Sequence, residues 1–260
     1  MHVQALIDSE PSVEQIAEIA RVALLERDPR GSHPGYLEAL NSALRTSPPP
    51  YGHPEYRRVF REAASDPEWM AKSLIVNSER EGDGATRLWS MAAFAPNERE
   101  KELLKRHAID ESGHALGYLR LLDLTFPGAV SEEFRNELDQ LSPHYTVKQE
   151  PAPVAGSPYA RVPSMDDYIQ MNIAEIRTTI HHIMQREALA TYCPPDNVKR
   201  MRATLDMLMR DELTHVAYTA ELIEEKYHEK GMVDLIANFD KRMHDFNQIT
   251  RSELSENVFD

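Results

Sequence analysis

The sequence contains a single cysteine, Cys193, among 260 residues. A lone thiol excludes an internal disulfide framework, and it excludes the iron–sulfur and zinc sites that are built on several thiolates. Any metal that the protein binds is therefore expected to have oxygen and nitrogen ligands, from carboxylates and imidazoles.

Long hydrophobic runs and a secretory signal are missing as well. No stretch approaches the roughly 18 apolar residues of a membrane span. The first residues, MHVQALIDSEPS, lack the basic flank and the apolar core of a signal peptide. We therefore expect no membrane partner and, by default, a cytoplasmic location.

Basic residues are too few to suggest a nucleic-acid partner. The chain has 29 Lys and Arg against 43 Asp and Glu, which gives a net charge of −14. No basic stripe is present that could neutralise a phosphate backbone. This balance indicates a solvated acidic surface, and no nucleic-acid partner is expected.

Strand patterns are nearly absent, whereas apolar residues recur with the helical period along the chain. An all-α fold is therefore predicted, and the 41% hydrophobic content is sufficient to bury the core of a single domain, 1–260. Three shorter helices are predicted at about residues 11–28, 35–46 and 54–65. The segments between them, DPRGSHPG and SPPPYGHP, are rich in helix breakers.

Four longer helices follow, and their starts carry capping signals. The first begins at Asp66, a predicted N-cap that is followed by proline at the first helical position, and it runs to about Ala95. The second begins at Asn97, three residues before Glu100 in the spacing of a capping box, and it runs to about Leu124.

The third long helix starts after Pro163, where Ser164 precedes Asp167 by three residues, the spacing of a capping box. It ends before the sequence CPPD. The fourth extends from Asp196 to about His228. Residues 229–260 are predicted to form a C-terminal helix or tail.

A long connection separates the second and third of these helices. It consists of a short predicted helix, SEEFRNELDQL, and a proline-rich extended segment, SPHYTVKQEPAPVAGSPYARVP. Short, long and short connections are typical of a four-helix bundle with one crossover. We predict such a bundle over residues 66–228, preceded by N-terminal helices in 1–65. The proline-rich segment is a candidate lid or partner surface.

Two of the long helices carry the same motif, DESGH at residues 110–114 and DELTH at residues 211–215. Residues three positions apart lie on one helical face, so Glu111 with His114, and Glu212 with His215, each present two ligand atoms to the same side. Apolar neighbours indicate that both faces point inward. Ionisable groups there are costly unless they are paired or coordinated.

Each of the two remaining long helices offers one glutamate in phase with its apolar stripe, Glu81 on the first and Glu175 on the third. Another Glu-x-x-His pair, Glu225 with His228, lacks the preceding aspartate and lies in a charged helix end, so we interpret it as accidental. The predicted metal ligands are Glu81, Glu111, His114, Glu175, Glu212 and His215. This is the inventory of a dinuclear carboxylate site in a bundle core.

With this ligand inventory, residues 66–228 resemble the ferritin-like di-iron carboxylate proteins. The doubled Asp-Glu-x-x-His and the spacing of the glutamates are more similar to the hydroxylases of bacterial multicomponent monooxygenases and their relatives than to ferritin. The resemblance implies a ferritin-like bundle, two iron ions and O2 as co-substrate, with manganese or a mixed Mn/Fe pair as an alternative. It also implies that Asp110 supports His215 and that Asp211 supports His114, as acceptors for ligating imidazoles.

Further candidate residues lie one or two turns from these ligands. Thr179, one turn beyond Glu175, matches a threonine implicated in proton delivery in the monooxygenases, and a hydroxyl bonded to its own helix is the alternative. Tyr118, one turn beyond the first motif, has the spacing of the oxidisable tyrosine in ribonucleotide reductase radical subunits, and a core tyrosine is the alternative. His107 and His182 are candidate extra ligands or substrate contacts, or buried core histidines.

The function expected from this resemblance is that of a di-iron, O2-dependent oxidase or monooxygenase. It would act on a small organic substrate by hydroxylation, N-oxygenation or oxidative cleavage. The sequence has no flavin, nicotinamide or iron–sulfur motif, so electrons are expected from an external reductase or ferredoxin, from another reductant or from the substrate. An iron-handling ferroxidase and a radical-bearing subunit that uses Tyr118 are the alternatives. The extra N-terminal helices suggest a covered pocket or a homodimer surface.

Overall fold

The computed structural model describes residues 5–7, 12–230 and 232–255, and the regular structure in these ranges is helical without a strand. The α-helices are α1 Val13–Arg27, α2 Pro34–Thr46, α3 Pro54–Ala64, α4 Pro67–Ala92, α5 Glu98–Thr125, α6 Glu132–Leu138, α7 Met165–Tyr192, α8 Val198–Lys230 and α9 Met232–Ser255. The all-α prediction is confirmed. Among the described helices, none combines the length and the apolar character that a membrane crossing requires.

Hydrogen bonds at three of the long helices confirm their predicted starts. The Asp66 carboxylate accepts a backbone N–H from two residues further on at 2.8 Å, and the side-chain oxygen of Asn97 accepts the N–H of Glu100 at 2.9 Å. Ser164 and Asp167 bond reciprocally, because each backbone N–H donates to the other side chain, at 2.7 and 3.3 Å. These side chains satisfy N–H groups that have no partner within the helix.

Two helix ends differ from the prediction. The fourth long helix, α8, begins at Val198 rather than Asp196, because Pro195–Asn197 form a 3-10 turn before it. The first, α4, ends at Ala92 rather than Ala95, since Pro96 disfavours a helical backbone in the residue before it and turns replace the helix there. Both shifts are short and leave every predicted ligand inside a helix.

The chain forms two compact units that are each discontinuous in sequence. Unit 1 consists of Met1–Ala63, Ser164–Gln185 and Met209–Asp260, and unit 2 consists of Ala64–Pro163 and Arg186–Leu208. Unit 1 includes α1, α2 and α9, and unit 2 includes α4, α5 and α6, while α7 and α8 contribute residues to both. The predicted ligands therefore fall into two sets, one in each unit.

In unit 1, buried polar groups join the start of α2 to α7 and α8. The carboxylate of Glu224 on α8 accepts the backbone N–H groups of Gly35 at 3.3 Å and Tyr36 at 2.6 Å, in the first turn of α2. The Tyr36 hydroxyl donates to Asn172 on α7 at 2.9 Å, and the Asn172 amide donates to the hydroxyl of Thr219 on α8 at 2.9 Å. This network fixes the register of the segments that carry the unit 1 ligands.

In unit 2, α4 and α5 pack closely. The Ser78 hydroxyl on α4 donates to the carbonyl of Ala115 on α5 at 2.8 Å. Gly82 on α4 meets the chain that leaves α6, because a Cβ atom on this glycine would lie only 1.8 Å from the carbonyl oxygen of Leu141. The absence of a side chain at Gly82 is therefore necessary for this close approach.

The proline-rich connection, residues 142–163, has no helix or strand, but several hydrogen-bonded turns interrupt the extended path that the sequence predicts, and the segment contacts unit 2 at several points. The Ser142 hydroxyl donates to the carbonyl of Ser112 at 2.7 Å, and the Tyr145 N–H donates to the Ser112 hydroxyl at 3.0 Å. The Tyr145 ring stacks on Trp89 with centroids 4.1 Å apart. The segment thus contacts both α4 and α5, the helices of unit 2 that carry predicted ligands.

Candidate metal centre

The unit 2 ligand set combines one glutamate of α4 with the first Asp-Glu-x-x-His motif on α5. Glu81, Glu111 and His114 each present a ligand atom, and these atoms lie within 4.8 Å of one another. Within the motif, Nδ1 of His114 is 3.5 Å from Oε1 of Glu111. The structure therefore brings together all three ligands that the sequence predicts in this unit.

A second imidazole approaches the same carboxylate from the preceding turn of α5. Nε2 of His107 lies 3.1 Å from Oε1 of Glu111, which is a hydrogen-bonding distance. His107 is also buried. This position beside Glu111 agrees with the prediction that His107 lies near the ligand face. It suits an extra metal ligand and also a hydrogen-bonding partner of Glu111.

The unit 1 set contains the second Asp-Glu-x-x-His motif, on α8. Nδ1 of His215 lies 3.3 Å from Oε2 of Glu212, and both side chains are buried. The other carboxylate oxygen, Oε1, lies 3.5 Å from Nε2 of His182 on α7. Glu212 is thus approached by one imidazole at each oxygen.

A glutamine on α7 contacts Nδ1 of His182, the ring nitrogen that does not face Glu212. Nε2 of Gln185 is 2.9 Å from Nδ1 of His182, and both side chains are buried. Sequence reasoning did not select Gln185. Its spacing of three residues from a histidine on the same helix is the signal that could have identified it.

The third predicted ligand of unit 1, Glu175, is buried in the middle of α7. One turn later, the buried hydroxyl of Thr179 donates to the backbone carbonyl of Glu175 at 2.8 Å. This is the bond to its own helix that the sequence left as an alternative for Thr179. The hydroxyl oxygen can still accept a hydrogen bond, so a role in proton delivery stays a prediction.

The other candidate residues lie on the same two motif helices. The Nε–H group of Arg106 donates to both carboxylate oxygens of Asp110, at 3.0 and 3.2 Å, and Asp211 is partly buried. The expected support of each motif histidine by the aspartate of the other motif stays a prediction. Tyr118 is buried in α5 with 2% exposure, which suits both a core tyrosine and an oxidisable one.

Burial of the motif glutamates and histidines opposes folding unless other interactions compensate for their lost hydration. Glu111 and Glu212 have exposures of 5% and 0%, and the motif histidines are each 1% exposed. Transfer of a carboxylate from water into an apolar interior costs several kcal/mol unless a cation or a set of hydrogen bonds compensates for it. A bound cation would provide such compensation in both units.

The distances within each motif fit a shared metal ion. The separations of 3.5 Å in the first motif and 3.3 Å in the second are long for an N–H···O hydrogen bond. Two atoms that bind one ion at about 2.0–2.2 Å, with an angle of about 90–110°, lie roughly 2.8–3.6 Å apart. Imidazole and carboxylate ligands are also the donor types that iron and manganese take in bundle cores.

The remaining Glu-x-x-His sequence lies in a different environment. Glu225 is exposed, and the side chain of His228 has 69% exposure. Nε2 of His228 is 3.5 Å from a different residue, Glu224. The interpretation of this third copy as accidental agrees with its exposure, and it provides a natural control for the two buried motifs.

Comparison with known proteins gives no relative from which a role could be transferred. No protein family model, no curated protein and no solved structure matches the chain. The buried carboxylates and imidazoles themselves therefore indicate the chemistry of the site.

Proposed function

We propose that the chain is a non-haem di-iron, O2-dependent oxidase or monooxygenase with a ferritin-like bundle. It acts on a small organic substrate by hydroxylation, N-oxygenation or oxidative cleavage. One iron is held by Glu81, Glu111 and His114, and the other by Glu175, Glu212 and His215. The main support is the repeated geometry, in which Nδ1 of a buried histidine faces the glutamate three residues before it.

The iron ions would supply the electrons that O2 chemistry requires. The chain itself holds the ligand atoms in position and keeps water away from them. The motif pairs share their helices with buried apolar residues, which are Leu104, Ala108, Ala115 and Leu122 on α5 and Val216, Ala217, Ala220 and Leu222 on α8. An apolar surrounding lowers the local dielectric and strengthens the electrostatic interactions of the ligands.

Sustained turnover also needs a source of electrons. The sequence carries no motif for a flavin, a nicotinamide or an iron–sulfur cluster. A separate reductase or ferredoxin, or the substrate itself, would therefore supply them. The acidic surface, with a net charge of −14, would favour a donor protein with a basic docking face.

The test is anaerobic loading of the full chain with Fe(II), followed by measurement of iron per chain, O2 uptake and the Mössbauer spectrum. We expect two irons per wild-type chain, O2 uptake in a fixed ratio to iron, and magnetic coupling between the two ferric ions. Glu111→Ala and His215→Ala should each lose iron. Glu225→Ala is the matched control, because it removes the glutamate of the exposed third motif, and it should keep both ions.

Other outcomes would select other functions. A wild-type chain that binds no iron would overturn the ligand assignment and leave the two motifs as buried polar networks. Continued oxidation of Fe(II) far beyond two per chain, with growth of a ferric core, would favour iron handling. A stable tyrosyl radical signal after reaction with O2, lost in Tyr118→Phe, would favour a radical-bearing subunit.

A further inference from the structure

We propose that His182 positions the carboxylate of Glu212 and that Gln185 selects the tautomer of His182 that can do so. This role rests on the proposed function, because it takes Glu212 as an iron ligand. His182 and Gln185 lie three residues apart on one face of α7, with exposures of 0% and 2%. In this role His182 acts on a ligand of the metal and is not a metal ligand itself.

The hydrogen bond between these two side chains determines which ring nitrogen carries the proton. Nε2 of Gln185 lies 2.9 Å from Nδ1 of His182. An amide nitrogen has only donors to offer, so Nδ1 accepts this bond and is unprotonated. A neutral imidazole has one proton, which must then be on Nε2.

The protonated nitrogen is the one that faces Glu212. Nε2 of His182 lies 3.5 Å from Oε1 of this carboxylate. With its proton on Nε2, the ring can donate a hydrogen bond in that direction, but it has no lone pair there for a metal ion. At 3.5 Å this N–H group points toward Glu212 but lies beyond an ordinary hydrogen bond in the metal-free chain, and it forms that bond when the carboxylate binds iron.

The two oxygens of Glu212 consequently have different roles. Oε1 faces the N–H group of His182, whereas Oε2 lies 3.3 Å from Nδ1 of His215 and is the oxygen available to a shared iron. A hydrogen bond to the outer oxygen of a ligating carboxylate fixes its orientation and tunes the metal. In unit 2 the arrangement differs, because His107 and His114 both approach the same oxygen of Glu111.

The first experiment reads the tautomer directly by 15N-detected histidine NMR of the full, metal-free chain, with the His182 signals assigned by their loss in His182→Gln. We expect protonated Nε2 and unprotonated Nδ1 in the wild type. In Gln185→Glu the added carboxylate can only accept, so the proton should move to Nδ1. Gln170→Glu, a charge change at a half-buried position of the same helix, should leave the tautomer unchanged.

The second experiment compares iron binding by His182→Gln and His182→Leu. The glutamine amide can still donate to Glu212, so His182→Gln should bind two irons with an affinity within about tenfold of wild type. His182→Leu should also bind two irons, but with an affinity lowered by about 10–100-fold at one of them, the effect expected from loss of an outer hydrogen bond. Circular dichroism of each variant verifies that it is folded.

Two results would overturn the role of His182. Protonated Nδ1 in the wild type would mean that Gln185 presents its oxygen and that Nε2 offers a lone pair toward Glu212. Loss of one iron from both His182 variants would identify the residue as a ligand. If the wild type binds no iron, the proposed function fails together with the positioning role, whereas the NMR result still reports the Gln185–His182 pairing separately.

Discussion

Oε2 of Glu212 lies 3.3 Å from Nδ1 of His215, one turn later on α8, and both side chains are almost completely buried. The same relation occurs between Glu111 and His114 on α5, at 3.5 Å. A buried carboxylate opposes folding unless a cation compensates for its lost hydration. A metal-binding role and a structural role for this pair therefore predict different effects of replacing Glu212 on the stability of the metal-free protein.

The first prediction concerns Glu212→Gln. In the metal-free protein, this change should leave the free energy of unfolding unchanged or raise it by about 1 kcal/mol, because a neutral amide of the same shape replaces a buried charge. Added Fe(II) or Mn(II) should raise the melting temperature of the wild type but not of the variant. A ligand specific for the folded state contributes about 2.7 kcal/mol at 100 times its Kd.

Anaerobic urea denaturation and thermal scans, with and without metal, measure both effects. Glu225→Gln is the control, since this exposed glutamate of the third motif should not affect the response to metal. A loss of about 3–5 kcal/mol in metal-free Glu212→Gln would instead identify a structural ion pair with His215.

The second prediction contrasts two glycines beside predicted ligands. A Cβ on Gly82, next to Glu81, would lie 1.8 Å from a backbone carbonyl oxygen, whereas a Cβ on Gly113, inside DESGH, meets no atom within 4 Å. Gly82→Ala should therefore lower the free energy of unfolding by about 3 kcal/mol or more. Gly113→Ala should raise it by about 0.5–1 kcal/mol through helix propensity. Urea denaturation of the two variants should give shifts of opposite sign.

Features that depend on nearby residues could be predicted from the sequence. The helix starts at Asp66, Asn97 and Ser164 each depend on a bond to a residue at most three positions away. The pairing of Glu111 with His114 is equally local, because residues three positions apart share a helical face. The hydrogen bond between Gln185 and His182 belongs to the same class, although the sequence analysis did not select it.

Contacts between distant segments could not be predicted in this way. The bond from Ser142 to Ser112 spans 30 residues, and the one from Lys105 to Glu150 spans 45. Which residue of the proline-rich segment meets α5 depends on how α4, α5 and α6 pack, and no motif encodes this. For the same reason, the sequence placed His182 near the ligand face but did not identify the oxygen that it faces.

The third prediction concerns the pH dependence that Glu150 adds to stability. Hydrogen bonds from Lys101 and Lys105, together with their charges, lower the pKa of Glu150. A carboxylate whose pKa is lower in the folded state stabilises the protein above its unfolded-state pKa of about 4.3, and this contribution is lost as the pH falls through the folded-state pKa. Wild type should therefore exceed Glu150→Gln in stability at neutral pH.

Melting temperatures of both proteins between pH 7 and about pH 3 would measure this difference, which should shrink on acidification and with added salt. Glu133→Gln serves as the control, because Glu133 is an exposed glutamate of α6 in the same unit. A difference between wild type and Glu150→Gln that stays constant over this pH range would show that the ion pairs do not stabilise the folded chain.

The fourth prediction separates the two roles of Thr179, whose hydroxyl donates to the carbonyl of Glu175 at 2.8 Å. Thr179→Val keeps the shape of the side chain and should keep both irons, but it should slow O2 uptake by about 100-fold, a magnitude typical of a lost proton-transfer group. Thr179→Ser restores the hydroxyl and should recover most of the rate. Equal rates of O2 uptake in wild type and Thr179→Val would mean that the hydroxyl serves only its own helix.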